Sequence, residues 1–292
     1  MKFNRDATFS EYTLAWRLFK RHHTHFNDIY WANQATLKFA YASTRPYSRT
    51  DSATKIFSLP DNPQRLADTL GDWADNYSEF NQWAQMAAVI AICGYLETYI
   101  AQVATAALES RPALIFGGSA QVDGTTLLKL NNTYDFYSHA EHLVRGDWSA
   151  RISAYTRLFG SCPYANQVKK LDQLRKLRND AGHSFGRDIT KMRFSESSFV
   201  QPLPKISNEK IKEFLDLAHT VSQLADNHLG PSYIGSYEVV RLFHIWKKEL
   251  KNYMPLNQRE LAQEFSRHFN SVTGSQYGKQ RAEALIRYYN TI

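Results

Sequence analysis

The stretch from Met86 to Leu108 reads MAAVIAICGYLETYIAQVATAAL and constrains this chain more than any other segment. It is long enough to cross a bilayer as a helix. Glu97 stands at its middle, where a charge in lipid costs about 2.5 kcal/mol or more, and Gln102 and several threonines add polarity. A buried core helix over about residues 83–110 satisfies both facts. A membrane span is the lesser alternative, and no membrane partner is expected. A helix that is apolar on every side must be covered by other elements. The chain has 292 residues to supply them, enough for a sizeable core. With only 13 Gly and 9 Pro, those elements are expected to be helices rather than the turn-rich strands of an all-β fold.

The hydrophobic spacing predicts an all-α chain. Ser10 is the expected N-cap of a first helix running through Leu14, Leu18, Phe19, Phe26, Ile29 and Tyr30 to about Tyr41. Residues 43–63 read as a polar, proline-marked loop. A second helix is expected from about Gln64 through Phe80, separate from the apolar one, which ends before Pro112. Residues 113–135 leave room for one short helix at most. Helices fit 147–159 and 164–181, an extended segment fits 185–204, and Ser207 opens a helix to about His228. Gly230-Pro231 is expected to break it. Helices at 235–252, 257–271 and 276–290 finish the chain, the last two read as amphipathic helices packing on the rest. Three segments follow from this pattern: an N-terminal helix and loop over 1–63, a helical bundle over 64–229, and a C-terminal helical extension over 230–292.

Several function classes find no support. No alternation of strands and helices suggests a doubly wound sheet. Gly117-Gly118-Ser119 is not followed by the Gly-Lys-Ser/Thr of a phosphate loop, and there is no Gly-x-Ser-x-Gly or His-Glu-x-x-His. Two cysteines, Cys93 and Cys162, build neither a disulfide framework nor a zinc site, so a reducing, cytoplasmic setting is expected. The first twelve residues carry no apolar core of a signal peptide. The histidines at 22, 23 and 25, and the His139–His142 pair, read as surface groups rather than metal ligands, and no metal or cofactor is expected. The net charge is +7 and is uneven: residues 61–161 carry −5, residues 1–60 carry +5 and residues 162–204 carry +4. A basic chain with 14% aromatics suits a polyanionic partner.

The segment from Leu171 to Asp188, LDQLRKLRNDAGHSFGRD, concentrates the chemistry. Leu171, Leu174 and Leu177 mark one buried stripe of a helix. Arg175, Arg178 and Asn179 lie off that stripe, Gly182 is placed where the helix would loosen or end, and His183 follows. A guanidinium holds a phosphate through charge-assisted hydrogen bonds, and an imidazole exchanges protons near neutral pH. The bland reading of the same residues is a solvated helix face with a histidine at a helix C-terminus. An Arg-x4-His spacing also occurs at Arg17 and His22, but without the Asn and Gly.

The run Arg178-Asn179-Asp180-Ala181-Gly182-His183 resembles the motif of the HEPN family (higher eukaryotes and prokaryotes nucleotide-binding): Arg, a polar residue, a few others, then His. The leucine-striped helix before it and the upstream helix ending GYLETYIAQV are similar to the family's bundle, and the resemblance covers about residues 64–229. It implies a HEPN-like helical bundle with extra N- and C-terminal helices, acting as a metal-independent endoribonuclease on RNA. It also implies a homodimer in which two motifs face each other. Arg178, Asn179 and His183 would then be catalytic, and Arg175, Asp180 and Ser184 would bind substrate. Glu97 would be a core acid, either satisfied by a partner or acting behind the site through an Arg or His; Arg178 is one such partner. A regulatory or antitoxin protein is a further partner class, and a toxin, antiviral-defence or RNA-processing role fits the resemblance. The competing readings are a HEPN-like scaffold that binds RNA, nucleotide or protein without cleaving, and an unrelated all-α interaction protein.

Overall fold

A computed structural model describes residues 1–58, 65–117, 123–132, 134–184, 204–250 and 256–292. The protein is all-α and 77% helical, with 12 helices and no strands among the described residues. The helices are α1 (Leu14–Thr44), α2 (Ala53–Phe57), α3 (Leu70–Ser110), α4 (Ala113–Phe116), α5 (Gly124–Lys129) and α6 (Tyr137–Ala140). They continue with α7 (Trp148–Phe159), α8 (Val168–Ser184), α9 (Asn208–Leu229), α10 (Tyr237–Glu249), α11 (Gln258–Thr273) and α12 (Lys279–Thr291). The chain divides into two compact units, each assembled from separated stretches. The first comprises residues 1–19, 96–168 and 220–292, the second residues 20–95 and 169–219.

The apolar run is buried as expected, but its helix is longer. α3 continues without a break for 41 residues, about 60 Å at 1.5 Å per residue, where two helices were expected. Between Phe80 and Met86 the sequence NQWAQ turns polar but contains neither Gly nor Pro, so the face changes while the backbone does not. By length and composition α3 could cross a membrane. In the folded chain Met86, Val89, Ile92, Leu96, Ile100, Val103 and Leu108 are all buried, while Ile90 stays exposed.

In the second unit the polar residues of that joint are used for packing. Asn208, the first residue of α9, accepts hydrogen bonds from the Tyr30 hydroxyl (2.7 Å) and the Gln85 amide (3.1 Å). It donates to Gln34 (3.0 Å), which in turn donates to Asn81 (2.9 Å). Gln34 and Gln85 are buried, so each amide needs these partners. Residues of α1, α3 and α9 thus meet in one polar cluster inside an apolar packing.

In the first unit α10, α11 and α12 close a core of their own around Phe243, Trp246, Phe265, Phe269, Leu285 and Tyr289. Asn257 and Glu260 form a reciprocal capping box at the start of α11, and Gly274 ends it in the left-handed region at φ 66°. The same unit holds the start of α1, three residues beyond the expected Ser10 cap. Thr13 is the cap, its hydroxyl accepting from the Trp16 N–H at 3.1 Å. Asp226 accepts from the Thr13 N–H (3.1 Å) and hydroxyl (2.5 Å), and Glu238 accepts from the Leu14 N–H (2.9 Å). Two carboxylates on the first N–H groups of a 31-residue helix fix where it begins, because these donors have no partner within the helix. Ser10 instead bonds to the backbone of Tyr12.

Burial pushes the Glu238 carboxyl up to about 7, the nearby Asp226 adds to the rise, and the Leu14 and Ala15 N–H groups oppose it. Burial raises Asp226 as well. A raised acid is more protonated in the folded chain than in the unfolded one. Its stabilisation is therefore complete below the unfolded value, 4.5 for Glu238, and is lost as pH rises towards about 7. The loss from Glu238 is on the order of 3 kcal/mol. Urea unfolding at pH 5 and pH 8 should show wild type losing more stability across this range than Glu238→Gln, whose amide keeps an acceptor for Leu14. Equal losses in both proteins would remove Glu238 as the cause.

Other elements adjust the expected pattern. The 43–63 loop contains α2, and residues 59–64 lie outside the described part. The 113–135 region holds two short helices, α4 and α5, rather than one. Gly124 begins α5 where a Cβ would lie 1.7 Å from the Glu109 carbonyl oxygen, so no other residue fits. Gly230-Pro231 does not simply break α9. The chain makes a π-helical turn over Gly230–Ile234, closed by the Gly235 N–H on the Gly230 carbonyl at 2.8 Å. The extended segment expected at 185–204 falls on residues outside the described part, Pro204 excepted.

Candidate functional site

α8 forms because Leu171, Leu174 and Ala181 are buried along one side, with Leu177 half-buried between them. Within the second unit this side is held against α3, where the Cys93 thiol lies 3.9 Å from the Leu174 carbonyl oxygen. It is held to α9 by Lys210, which donates to Gln173 at 3.4 Å, and by the Lys170–Glu213 pair at 3.9 Å. The helix carries five basic and two acidic residues, and Lys169, Lys170, Lys176 and Arg178 are exposed. Its outward side is therefore positive, as a phosphate backbone requires.

Arg178 and Asn179 are brought into direct contact. The Arg178 guanidinium donates to the Asn179 side-chain carbonyl at 3.1 Å. Arg175 is partly committed elsewhere, its Nε donating to Asp172 at 3.1 Å within the same helix. Asp180 is exposed. Gly182 does not end the helix, which continues to Ser184, and a Cβ at Gly182 would meet nothing within 4 Å. The backbone of His183 and Ser184 forms the last turn of α8, while their side chains lie outside the described part. Position 183 follows Asn179 by four residues and so shares its helix face. Arg178 is five residues away, about 140° around the axis.

Glu97 lies in the first unit and finds its partner in Arg151 of α7 at 2.9 Å. Arg151 is buried, also donates to the Gly146 carbonyl at 3.1 Å, and sits 4.6 Å from the centre of the Trp148 ring. Glu97 is thus paired with a buried arginine, and that arginine is Arg151. Among the described residues no group of three His, Cys, Asp or Glu side chains converges as a metal site would require. His22 and His25 are exposed as expected, whereas His23 is half-buried. Its Nε2 lies 3.1 Å from the Leu215 carbonyl oxygen, and burial lowers its pKa. Arg17, the other member of the Arg17–His22 pair, is tied to the Ser10 and Ser275 hydroxyls.

The sequence reading missed the carboxylates on α1 and the amide cluster around Asn208. Glu238 stands in the apolar run YEVVRLFHIW, and a lone acid in such a run is a usable signal of a buried acceptor. Asn208 gives no such signal, since its partners are over a hundred residues away.

The chain matches no family model, no curated protein and no solved structure. The class that fold and site define is an all-α protein with a basic, arginine-bearing helix.

Proposed function

We propose that the protein is a metal-independent endoribonuclease of HEPN type, working in the cytoplasm as a homodimer. The observation that carries this reading is the exposed Arg178, hydrogen-bonded to Asn179 on a positively charged helix whose last turn holds His183. In this mechanism the RNA 2′-hydroxyl attacks the adjacent phosphorus, and the bond to the 5′-oxygen breaks. The products are a 2′,3′-cyclic phosphate and a 5′-hydroxyl. One His183 takes the proton from the 2′-hydroxyl, and the His183 of the second copy gives a proton to the leaving 5′-oxygen. Arg178 stabilises the added negative charge on the phosphorane, and Asn179 orients its guanidinium. Arg175, Asp180 and Ser184 contact the substrate on either side.

Incubation of purified protein with end-labelled RNA in EDTA tests the reading. Cleavage with cyclic phosphate ends supports it. Binding without cleavage across varied RNAs replaces it with the non-catalytic scaffold. DNA should stay intact, because it has no 2′-hydroxyl. Sedimentation at micromolar concentration should give about twice the 33.7 kDa of one chain. A strict monomer that still cleaves would overturn the two-chain site.

A further inference from the structure

The first unit contains a cleft of about 560 Å3 that the RNA reading does not use. Its walls come from α1, α3, α6 and α10. Leu14, Leu18, Ala101, Leu242 and Ile245 supply apolar surface, and Leu18, Tyr137 and Ile245 remain exposed around it. The volume and the apolar lining with few polar groups are those of a small-molecule site.

The polar groups set the sign of the ligand. Glu109, Glu238 and Arg241 are the charged residues of the lining. Arg241 is already paired with Glu109 at 3.3 Å, and Glu109 also accepts from the Tyr237 hydroxyl at 3.3 Å. Glu238 is buried, is held by backbone N–H, and has Asp226 as a second acid nearby. Arg241 lies close enough to favour the charged form of Glu238, but its ion pair is with Glu109. The Thr105 hydroxyl, buried in the same lining, has no hydrogen-bond partner among the described residues. With two acids against one guanidinium the lining is net negative when Glu238 is ionised, so an anion would be repelled and a cation would balance the charge. We propose that this cleft binds a small amphipathic amine, its apolar body between α1 and α10 and its ammonium group at Glu238, with the Thr105 hydroxyl as a further acceptor.

The inference is independent of RNA cleavage, since the cleft belongs to a different unit from Arg178. Isothermal titration of the full-length protein at pH 8 with n-octylamine, n-octanol and n-octanoate tests it. The amine should bind one-to-one and about tenfold tighter than the alcohol, with octanoate weakest. Glu238→Gln should abolish the amine's advantage while leaving octanol unchanged. Ala106→Trp, which fills the cleft, should abolish binding of all three. If Ala106→Trp does not fold, Ile245→Trp obstructs the cleft from an exposed position and reads the same loss. Octanoate binding as well as octylamine, amine binding untouched by these variants, or no binding of either amine or alcohol at millimolar concentration would each overturn the proposal.

Discussion

His183→Ala and Arg178→Ala should each reduce RNA cleavage by about 10²-fold or more. The first removes the group that moves protons at the 2′- and 5′-oxygens. The second removes the charge that stabilises the phosphorane. The two losses should differ in kind. Arg178→Lys keeps a positive charge but not the fork that also reaches Asn179, so it should recover only part of the rate. His183→Ala should flatten both arms of the rate profile, since the base of one copy and the acid of the other are lost together. Mixing His183→Ala with Arg178→Ala protein should leave the mixed dimer impaired, because it carries one His183 where the step uses two. Arg267→Ala serves as the control, because Arg267 is exposed and bonded only to Glu264 one turn away on α11. Arg17, for all its matching spacing to His22, is unsuited to that role, since its removal would break ties to Ser10 and Ser275. Wild-type rates in both motif variants would place the activity elsewhere.

Ile92→Asp and Leu96→Asp should each unfold the protein. Both side chains are at most 2% exposed on α3. An aspartate there would be a buried charge without a partner, which costs several kcal/mol and consumes most of a typical stability of about 5–15 kcal/mol. Circular dichroism should show lost helix and lost cooperative melting. Ile90→Asp, at an exposed position on the same helix, should leave melting nearly unchanged. Retained cooperative melting in both buried variants would mean that the apolar run is not the core helix.

The sequence made the all-α class and most helix spans legible because hydrophobic period and end signals are local. α7, α9, α11 and α12 lie within three residues of their expected bounds, and Ser207 caps α9 as read, accepting from the Lys210 N–H. The errors arose where the deciding partner is remote. The start of α1 is fixed by Asp226 and Glu238, over two hundred residues away, so the local pattern pointed to Ser10 as the cap. The unbroken α3 depends on Gln34 and Asn208 accommodating Asn81 and Gln85. For the site, the contiguity of Arg178 and Asn179 in one helix was readable, and so was the exposed placement of Arg178. The commitment of Arg175 to Asp172 and of Glu97 to Arg151 was not, because a charged residue in a sequence does not name which of many counter-charges it meets.

The amide cluster at Asn208 has a consequence for how the second unit assembles. Leucine-on-leucine contacts tolerate sliding, since one apolar neighbour serves much like another. Directional groups do not. If α1 or α3 were displaced by a turn along its axis, about 5.4 Å, Gln34 and Gln85 would both lose their counterparts at once in a buried place. The cluster therefore works as a parity check on the chain's own folding. Misaligned packings of the same hydrophobic surfaces are penalised together rather than one bond at a time, and the correct alignment stands apart in energy from its near copies.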